Sequence, residues 1–260
     1  MKNLRQIIRS GGNVIGSWIN SGSPIIAEIM AQAGFDFLTV DVEHSAVDLP
    51  QTQQLFQAMQ SGSVECAPWV RVHGADYSLV KRYVDAGARG VICPLVNTVA
   101  QAEQLVSAVR YPPLGLRGVG YCRGNQYGRK VTEEFKHADE EIVVVLQVEH
   151  RDAVDALEDL VKVKGIDAVF IGPYDLTASM GIAAQFDHPD FIQAKRRVID
   201  VCRSAGIAVG IHVVQPESSE TIQRLQEGYQ IVAHSLDITM VMRACDEGLR
   251  AIRGAQAKAR

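Results

Sequence analysis

Residues 143–150 read VVVLQVEH, residues 151–165 read RDAVDALEDLVKVKG and residues 167–181 read DAVFIGPYDLTASMG. Two β-branched, apolar runs flank an amphipathic segment, the pattern of a βαβ unit. Gln147 and Glu149 stand two apart at the end of the first run, so both side chains point to the same side of the strand. Asp175 follows the second run, beyond Gly172 and Pro173. Carboxylates at the C-terminal ends of neighbouring parallel strands can converge on one small volume. A hard divalent cation is served by such a pair when substrate and water complete its shell. Solvated loop carboxylates are the alternative, since acidic residues are common at strand ends.

Working outward, strand and helix signals alternate along the chain. Met1 to Ser10 reads as a short helix stopped by Gly11 and Gly12. VIGSWIN (14–20) is a first strand, and IIAEIMAQAG (25–34) a helix ended by Gly34. FDFLTVDVEH (35–44), APWVRV (67–72) and GVICPLV (90–96) read as strands two to four. Between them lie a helix from Leu49 through Met59 and DYSLVKRYVDAG (76–87), with Asp76 as its N-cap. A helix from about Val99 to Arg110 stops before Pro112 and Pro113. TyrProProLeuGly (111–115) reads as a rigid turn, and the glycine-rich stretch 114–130 has no GKS or GKT and is not a phosphate loop. A polar helix, TEEFKHADEE (132–141), leads into the fifth strand. AVFIGP, AVGIHVV and IVAHSLD supply the last three strands, with a helix from about Pro189 to Gly206 among them. The final helix is rich in Ala and Arg and is expected to fray near the terminus.

Eight βα repeats in a chain of 260 residues predict one closed (β/α)8 TIM barrel over 1–260, with a short N-terminal helix and a C-terminal helical extension. A doubly wound open sheet is the rival, but its glycine fingerprint after the first strand is replaced by Trp18 and Asn20. The net charge of −4 and pI near 6.0 give no support for nucleic-acid or anionic-membrane partners. No apolar run is long enough to span a bilayer, and the first residues lack the apolar region of a signal peptide. Five scattered cysteines without a CxxC fit reduced thiols in the cytoplasm.

In a barrel, function lies where strands end, and Trp18, Asp41, Glu43, His44, Arg71, Asn97, Gln147, Glu149, Asp175, His212 and Asp237 all fall there. Each has a plainer reading. His44 is either a catalytic base or a hydrogen-bonded loop histidine. Arg71 either forks onto an anion or closes a salt bridge at the mouth. Trp18 is a pocket wall or a core residue. Asp41 and Glu43 flank an acidic turn that orients His44. Strand alternation puts Gly210 and His212 on one side, so His212 faces either the part of a ligand farthest from the carboxylates or a strand-end neighbour such as Ser235 or Asp237.

Six pieces now carry a resemblance: GSW at Trp18, FDFLTVDVEH through His44, VRV with Arg71, RYPPLGLRGVG from Arg110, LQVEH and IGPYDLTASMG. In this order the chain resembles the metal-dependent class II pyruvate aldolases, the family of 4-hydroxy-2-oxoheptanedioate and 2-keto-3-deoxy-sugar-acid aldolases, from about residue 4 to 250. The resemblance implies a (β/α)8 barrel that reversibly cleaves a 4-hydroxy-2-oxo acid to pyruvate and an aldehyde. It also implies a divalent ion (Mg, Mn or Co) on Glu149 and Asp175. Gln147 and the backbone of Tyr174 and Asp175 would bind the oxo acid. His44 would be the base, Arg71 the stabiliser of the enolate, and Asp85 the residue that raises the basicity of the histidine. Tyr174 departs from the small residue expected there and would tighten the pocket. Asp85 ends a helix at the opposite face of the barrel from His44, so its role requires a second subunit. A homo-oligomer, a hexamer by resemblance, is therefore expected.

The reaction is consistent with the residues themselves. Cleavage leaves an enolate whose charge a Lewis acid and a fixed guanidinium can stabilise. A Schiff-base route would need a lysine projecting into the barrel, and no lysine falls at the C-terminal end of a strand. The alternatives are a related enolate-forming carbon–carbon lyase or oxaloacetate decarboxylase, and a non-catalytic binder of small acids. A thioester-using enzyme would need a basic patch, and only Arg123, Arg129 and Lys130 cluster.

Overall fold

The computed structural model describes residues 2–258. Eight parallel strands close into a barrel in chain order. They are β1 (Val14–Ile19), β2 (Phe37–Asp41), β3 (Ala67–Arg71), β4 (Gly90–Cys93), β5 (Val143–Val148), β6 (Ala168–Ile171), β7 (Ala208–Val213) and β8 (Ile231–Leu236). Helix α1 (Leu4–Arg9) precedes the barrel. Around it run α2 (Pro24–Gln32), α3 (Leu49–Gly62), α4 (Tyr77–Asp85), α5 (Val99–Val109) and α6 (Val131–Glu140). They are followed by α7 (Arg151–Asp155), α8 (Leu157–Leu160), α9 (Pro173–Ser179), α10 (Pro189–Ala205), α11 (Ser218–Gln226) and α12 (Asp237–Lys258). Helix α12 continues to Lys258, and the fraying expected near the terminus also bears on Ala259 and Arg260, which lie outside the described residues.

The expected strands are present, and the helices differ in three places. RDAVDALEDLVKVKG is two short helices, broken at Ala156, whose φ of −88° and ψ of 2° leave the helical register. PYDLTAS forms α9 immediately after β6, where the sequence pattern marks no helix. SSETIQRLQ forms α11, which buries only Thr221 and so shows no apolar stripe.

Alternation of side chains divides the apolar residues into two bodies. Leu38, Val40, Val144, Leu146, Val148 and their counterparts face the helices. Phe37, Trp69, Ile92, Val143, Val145, Phe170 and Ile231 fill the barrel interior, with Leu4 and Ile8 of α1 entering from below. Phe37 and Trp69 stack at 4.1 Å between centroids. Room for these rings comes from Gly90, where a Cβ would fall 2.3 Å from Trp69, and from Gly210, where it would fall 2.5 Å from Phe170. The inward rows then become polar at the top: Phe37 leads to Asp41, Trp69 to Arg71, Val145 to Gln147 and Gly210 to His212.

Charges close the bottom. Asp167, just before β6, accepts from Arg5 Nε and Arg9 Nε at 2.8 Å each, and Arg110 Nη2 lies 3.6 Å away. Arg110 also donates to the carbonyls of Ala138 and Ile142. Burial, then repulsion from Arg5, pushes the Arg110 guanidinium down to about 10. Breaking a buried pair from one side costs roughly 3–5 kcal/mol, because the remaining charge has no partner. Asp167→Ala is therefore expected to lose stability on that scale in guanidinium unfolding, and an unchanged midpoint would contradict this account of how the barrel floor is held.

Candidate active site

The polar top layer is organised by Asp41 and Arg71, which end adjacent strands in direct register. Asp41 Oδ1 accepts from Arg71 Nε at 2.9 Å and Oδ2 from Arg71 Nη2 at 2.6 Å, the parallel fork that guanidinium geometry favours. Asp41 also accepts from Asn20 Nδ2 (2.8 Å) and from the backbone N–H groups of Glu43 (3.1 Å) and His44 (3.3 Å). Burial pushes the Asp41 carboxyl up, but the bonds and charge of Arg71, with Asn20 and the His44 backbone, outweigh it and hold the pKa below the usual value. The same guanidinium lies 4.4 Å above the Trp18 ring and 3.3 Å from Glu43 Oε2. Arg71 thus has both the salt-bridge setting and the exposure to the mouth that the sequence left open.

Gln147 and Glu149 point to one side, as their spacing requires, and Gln147 Nε2 donates to Glu149 Oε2. Glu149 Oε1 accepts from the Leu95 N–H at 2.8 Å. Leu95 follows β4 with φ at 53°, a left-handed position that aims this N–H at the carboxylate, and nothing in the sequence marks it. Gly172 lies against Glu149: a Cβ there would fall 2.8 Å from Glu149 Cβ and 2.9 Å from Oε2. Burial raises the Glu149 carboxyl; the bonds from Gln147 and Leu95 oppose this, and the charges of Glu43 and Asp175 add to it. Glu43 is raised too, first by burial, with Asp41 and Asp175 adding to it and Arg71 and His44 opposing. Glu43 Oε2 is buried without a hydrogen bond.

Asp175 and Tyr174 lie in the first turn of α9. Their N–H groups precede the first bond into the helix, Leu176 N to Gly172 O at 3.0 Å, and so have no acceptor within it. The Tyr174 ring packs edge-on against Phe186 at 4.9 Å. His44 is largely exposed, with Nε2 3.7 Å from Glu43 Oε2. A cavity of about 110 Å³ is lined by Trp18, Arg71, Gln147, Tyr174, Asp175 and His212, among others. Among the described residues, no three His, Cys, Asp or Glu side chains form a ready metal cage. Two carboxylates with open coordination, in a field of uncompensated negative charge, remain a fit for a hard cation that takes further oxygens from its ligands.

His212 stacks on Trp18 at 5.1 Å and 17°, and its Nε2 lies 3.0 Å from Ser235 O. A carbonyl only accepts, so Nε2 carries the proton and Nδ1 is left as the acceptor. Burial lowers His212 to about 4, with the bond to Ser235 opposing. Asp85 is not brought to His44 within the chain. It sits at the end of α4, on the opposite face of the barrel, where it accepts from Arg117 Nη2 at 2.8 Å and Nε at 3.1 Å. The RYPPLGLRGVG segment lies on that face as well, with a cis bond between Pro112 and Pro113.

Two outcomes are expected. Gly172→Ala displaces Glu149 and lowers kcat/KM by about 10²-fold, the scale of a misplacement near 1 Å, while the fold is retained; unchanged kinetics would separate Glu149 from the chemistry. His212 stays neutral from pH 8 to 5. Because its pKa is lowered on folding, the stability it contributes is intact above the unfolded value near 6.5 and is lost as pH falls toward 4. NMR titration of the ring gives the check, and a midpoint near 6.5 would contradict the buried geometry.

The family described as HpcH/HpaI aldolase/citrate lyase matches residues 14–244. The chain is 38% identical over 248 residues to a hydroxypyruvate/pyruvate aldolase of Pseudomonas aeruginosa, covering 94% of this chain and 90% of that one. It is 38% identical over 243 residues to a 2-keto-3-deoxy-L-rhamnonate aldolase of Klebsiella pneumoniae, covering 92% and 88%. A crystal structure of a family protein from Burkholderia cenocepacia superposes with a TM-score of 0.91 at 33% identity, over 97% of this chain and 100% of that one. With the match running from the first strand of the barrel into its last helix, the chain belongs to the HpcH/HpaI aldolase/citrate lyase family.

Proposed function

We propose that this protein is a divalent-metal-dependent aldolase that reversibly cleaves a 4-hydroxy-2-oxo acid to pyruvate and an aldehyde. The observation that carries the reading is the buried Glu149, aligned by Gln147 and Leu95 and within reach of the charge of Asp175, at a mouth whose guanidinium is fixed by Asp41. Glu149 and Asp175 would hold Mg, Mn or Co, which would supply Lewis-acid stabilisation of charge on the 2-oxo oxygen. Arg71 contributes a fixed positive group for the same oxygen and needs no reorganisation as charge develops. The N–H groups of Tyr174 and Asp175 bind the oxo-acid end, and Gln147 orients it. His44, on its exposed loop, takes the proton of the C4 hydroxyl. Among the described residues, no lysine lines the mouth cavity.

Trp18 walls the aldehyde half, and His212 sets its chemistry. With Nε2 committed to Ser235, the neutral ring offers Nδ1 as an acceptor, which suits a hydroxyl and not a carboxylate. A deoxy sugar acid, in the name of one relative, carries hydroxyls beyond the scissile bond. Asp85 acts on His44 of a neighbouring copy, so the working form is a homo-oligomer, a hexamer by family resemblance. Five free cysteines, with Cys66, Cys93 and Cys202 buried, suit a reducing cytoplasm.

The test is pyruvate release from a panel of 4-hydroxy-2-oxo acids, with oxaloacetate assayed beside them as a substrate for decarboxylation. Chelation abolishes cleavage and Mg, Mn or Co restores it, while Glu149→Ala and Asp175→Ala are not rescued at ordinary metal concentrations. Activity that persists after exhaustive chelation, or a lysine adduct trapped by borohydride, would end the metal-dependent reading; decarboxylation of oxaloacetate alone would favour the related lyase. His212→Leu shifts kcat/KM toward apolar aldehydes by roughly tenfold or more, since a hydroxyl without its acceptor loses about 1–3 kcal/mol.

A further inference from the structure

The basic residues Arg123 and Arg129 have no part in the mouth. The fold gathers them on the opposite face. Gln60 near the end of α3, Gly87 and Arg89 just ahead of β4, and residues 123–129 of the excursion between α5 and α6 surround a cavity of about 650 Å³. Strand starts and the ends of the helices that return to them define the N-terminal face of the barrel, so this cavity lies far from the substrate mouth of its own chain.

Its charge is unbalanced. Asp85 is taken up by the fully buried Arg117 at 2.8 and 3.1 Å. Glu134 is shared, with Oε1 3.5 Å from Arg117 Nη1 and Oε2 at 3.3 and 3.4 Å from Arg89. No carboxylate among the described residues lies within ion-pair distance of Arg123 or Arg129. Arg123 is half-buried and held only by neutral oxygens: Nη1 donates to Ala86 O at 3.2 Å and Nη2 to Gln60 Oε1. Burial lowers its pKa, Tyr127 opposes this, and the nearby charge of Arg89 adds to the lowering. A guanidinium fixed by neutral acceptors and placed beside a second one is poorly satisfied without an anion.

The cavity is also built. Gln126, Tyr127 and Gly128 have φ of 54°, 56° and 95°, which turns the chain back so that Arg129 returns to the rim. The buried Asn125 ties this turn down: its Oδ1 accepts from Cys122 N at 3.1 Å and Gly128 N at 2.9 Å, and its Nδ2 donates to Gly120 O at 2.6 Å. Gly87 admits the Arg123 guanidinium, since a Cβ there would fall 2.3 Å from Nη1.

We propose that this cavity on the N-terminal face is a binding site for a small phosphate-bearing anion, gripped by Arg89, Arg123 and Arg129. Arg123 and Arg129 supply the donors that a phosphate's oxygens accept, Arg89 adds its charge from the wall while its own fork rests on Glu134, and the volume suits a phosphorylated metabolite better than a lone ion.

Isothermal titration of the full-length protein with inorganic phosphate, at an ionic strength held constant with sodium chloride, tests the site. Saturable binding is expected, weakened at least tenfold in both Arg123→Gln and Arg129→Gln. Arg129 is exposed and makes no ion pair, so its variant stays informative if Arg123→Gln fails to fold. Three results would overturn the proposal: no saturable phosphate binding, equal affinity in wild type and the Arg129 variant, or saturable binding of citrate with none of phosphate. A fourth would do so too. If Arg129→Gln changes the oligomeric mass in light scattering while phosphate has no effect, a second chain answers these charges instead.

Discussion

The barrel mouth depends on the pairing of Asp41 with Arg71. These side chains end neighbouring strands in register, and their two parallel bonds fix the Arg71 guanidinium in place. The consequence is electrostatic. Arg71 forks onto Asp41 and reaches Glu43 only through Nε, while Glu149 is buried and Asp175 stands exposed at the rim; their charges act on one another, and Glu43 and Glu149 are raised above their usual pKa, first by burial. A site with that imbalance favours a divalent ion from solution together with the oxygens of an acidic substrate. The guanidinium stays oriented by its partner toward the place where an oxyanion would form.

Much of this follows from a period of two. Inward positions carry Phe37, Trp69 and Val145 through the barrel and reach Asp41, Arg71 and Gln147 at the top. The strands were legible because β-branched runs are dense and bounded by turn residues, and closure followed from counting them. The polar layer was legible for the same reason, since alternation puts Gln147 with Glu149 and Gly210 with His212.

What was not legible has local causes. Helix α9 begins at Pro173, directly after a strand, and its seven residues are too few to show a helical stripe. Helix α11 buries one residue, Thr221, and its largely polar sequence gives no helix signal of its own. The Leu95 amide that supports Glu149 depends on a left-handed backbone at a residue whose side chain gives no sign of it. Asp41 read as a prop for His44, and it does accept the His44 N–H, but its stronger tie is to Arg71, a contact across strands that spacing alone does not reveal. The histidine at 212 left two readings open, and both features are present: it bonds to Ser235 and also lines the cavity.

The central claim is that the acidic mouth takes up a divalent cation through Glu149 and Asp175. Electron paramagnetic resonance of free Mn(II), titrated against the protein with and without pyruvate, measures this directly and independently of turnover. The account predicts stoichiometric uptake by the wild type, tightened by pyruvate and lost in both Glu149→Gln and Asp175→Asn. Absence of uptake by the wild type, or equal uptake by those variants, would contradict it.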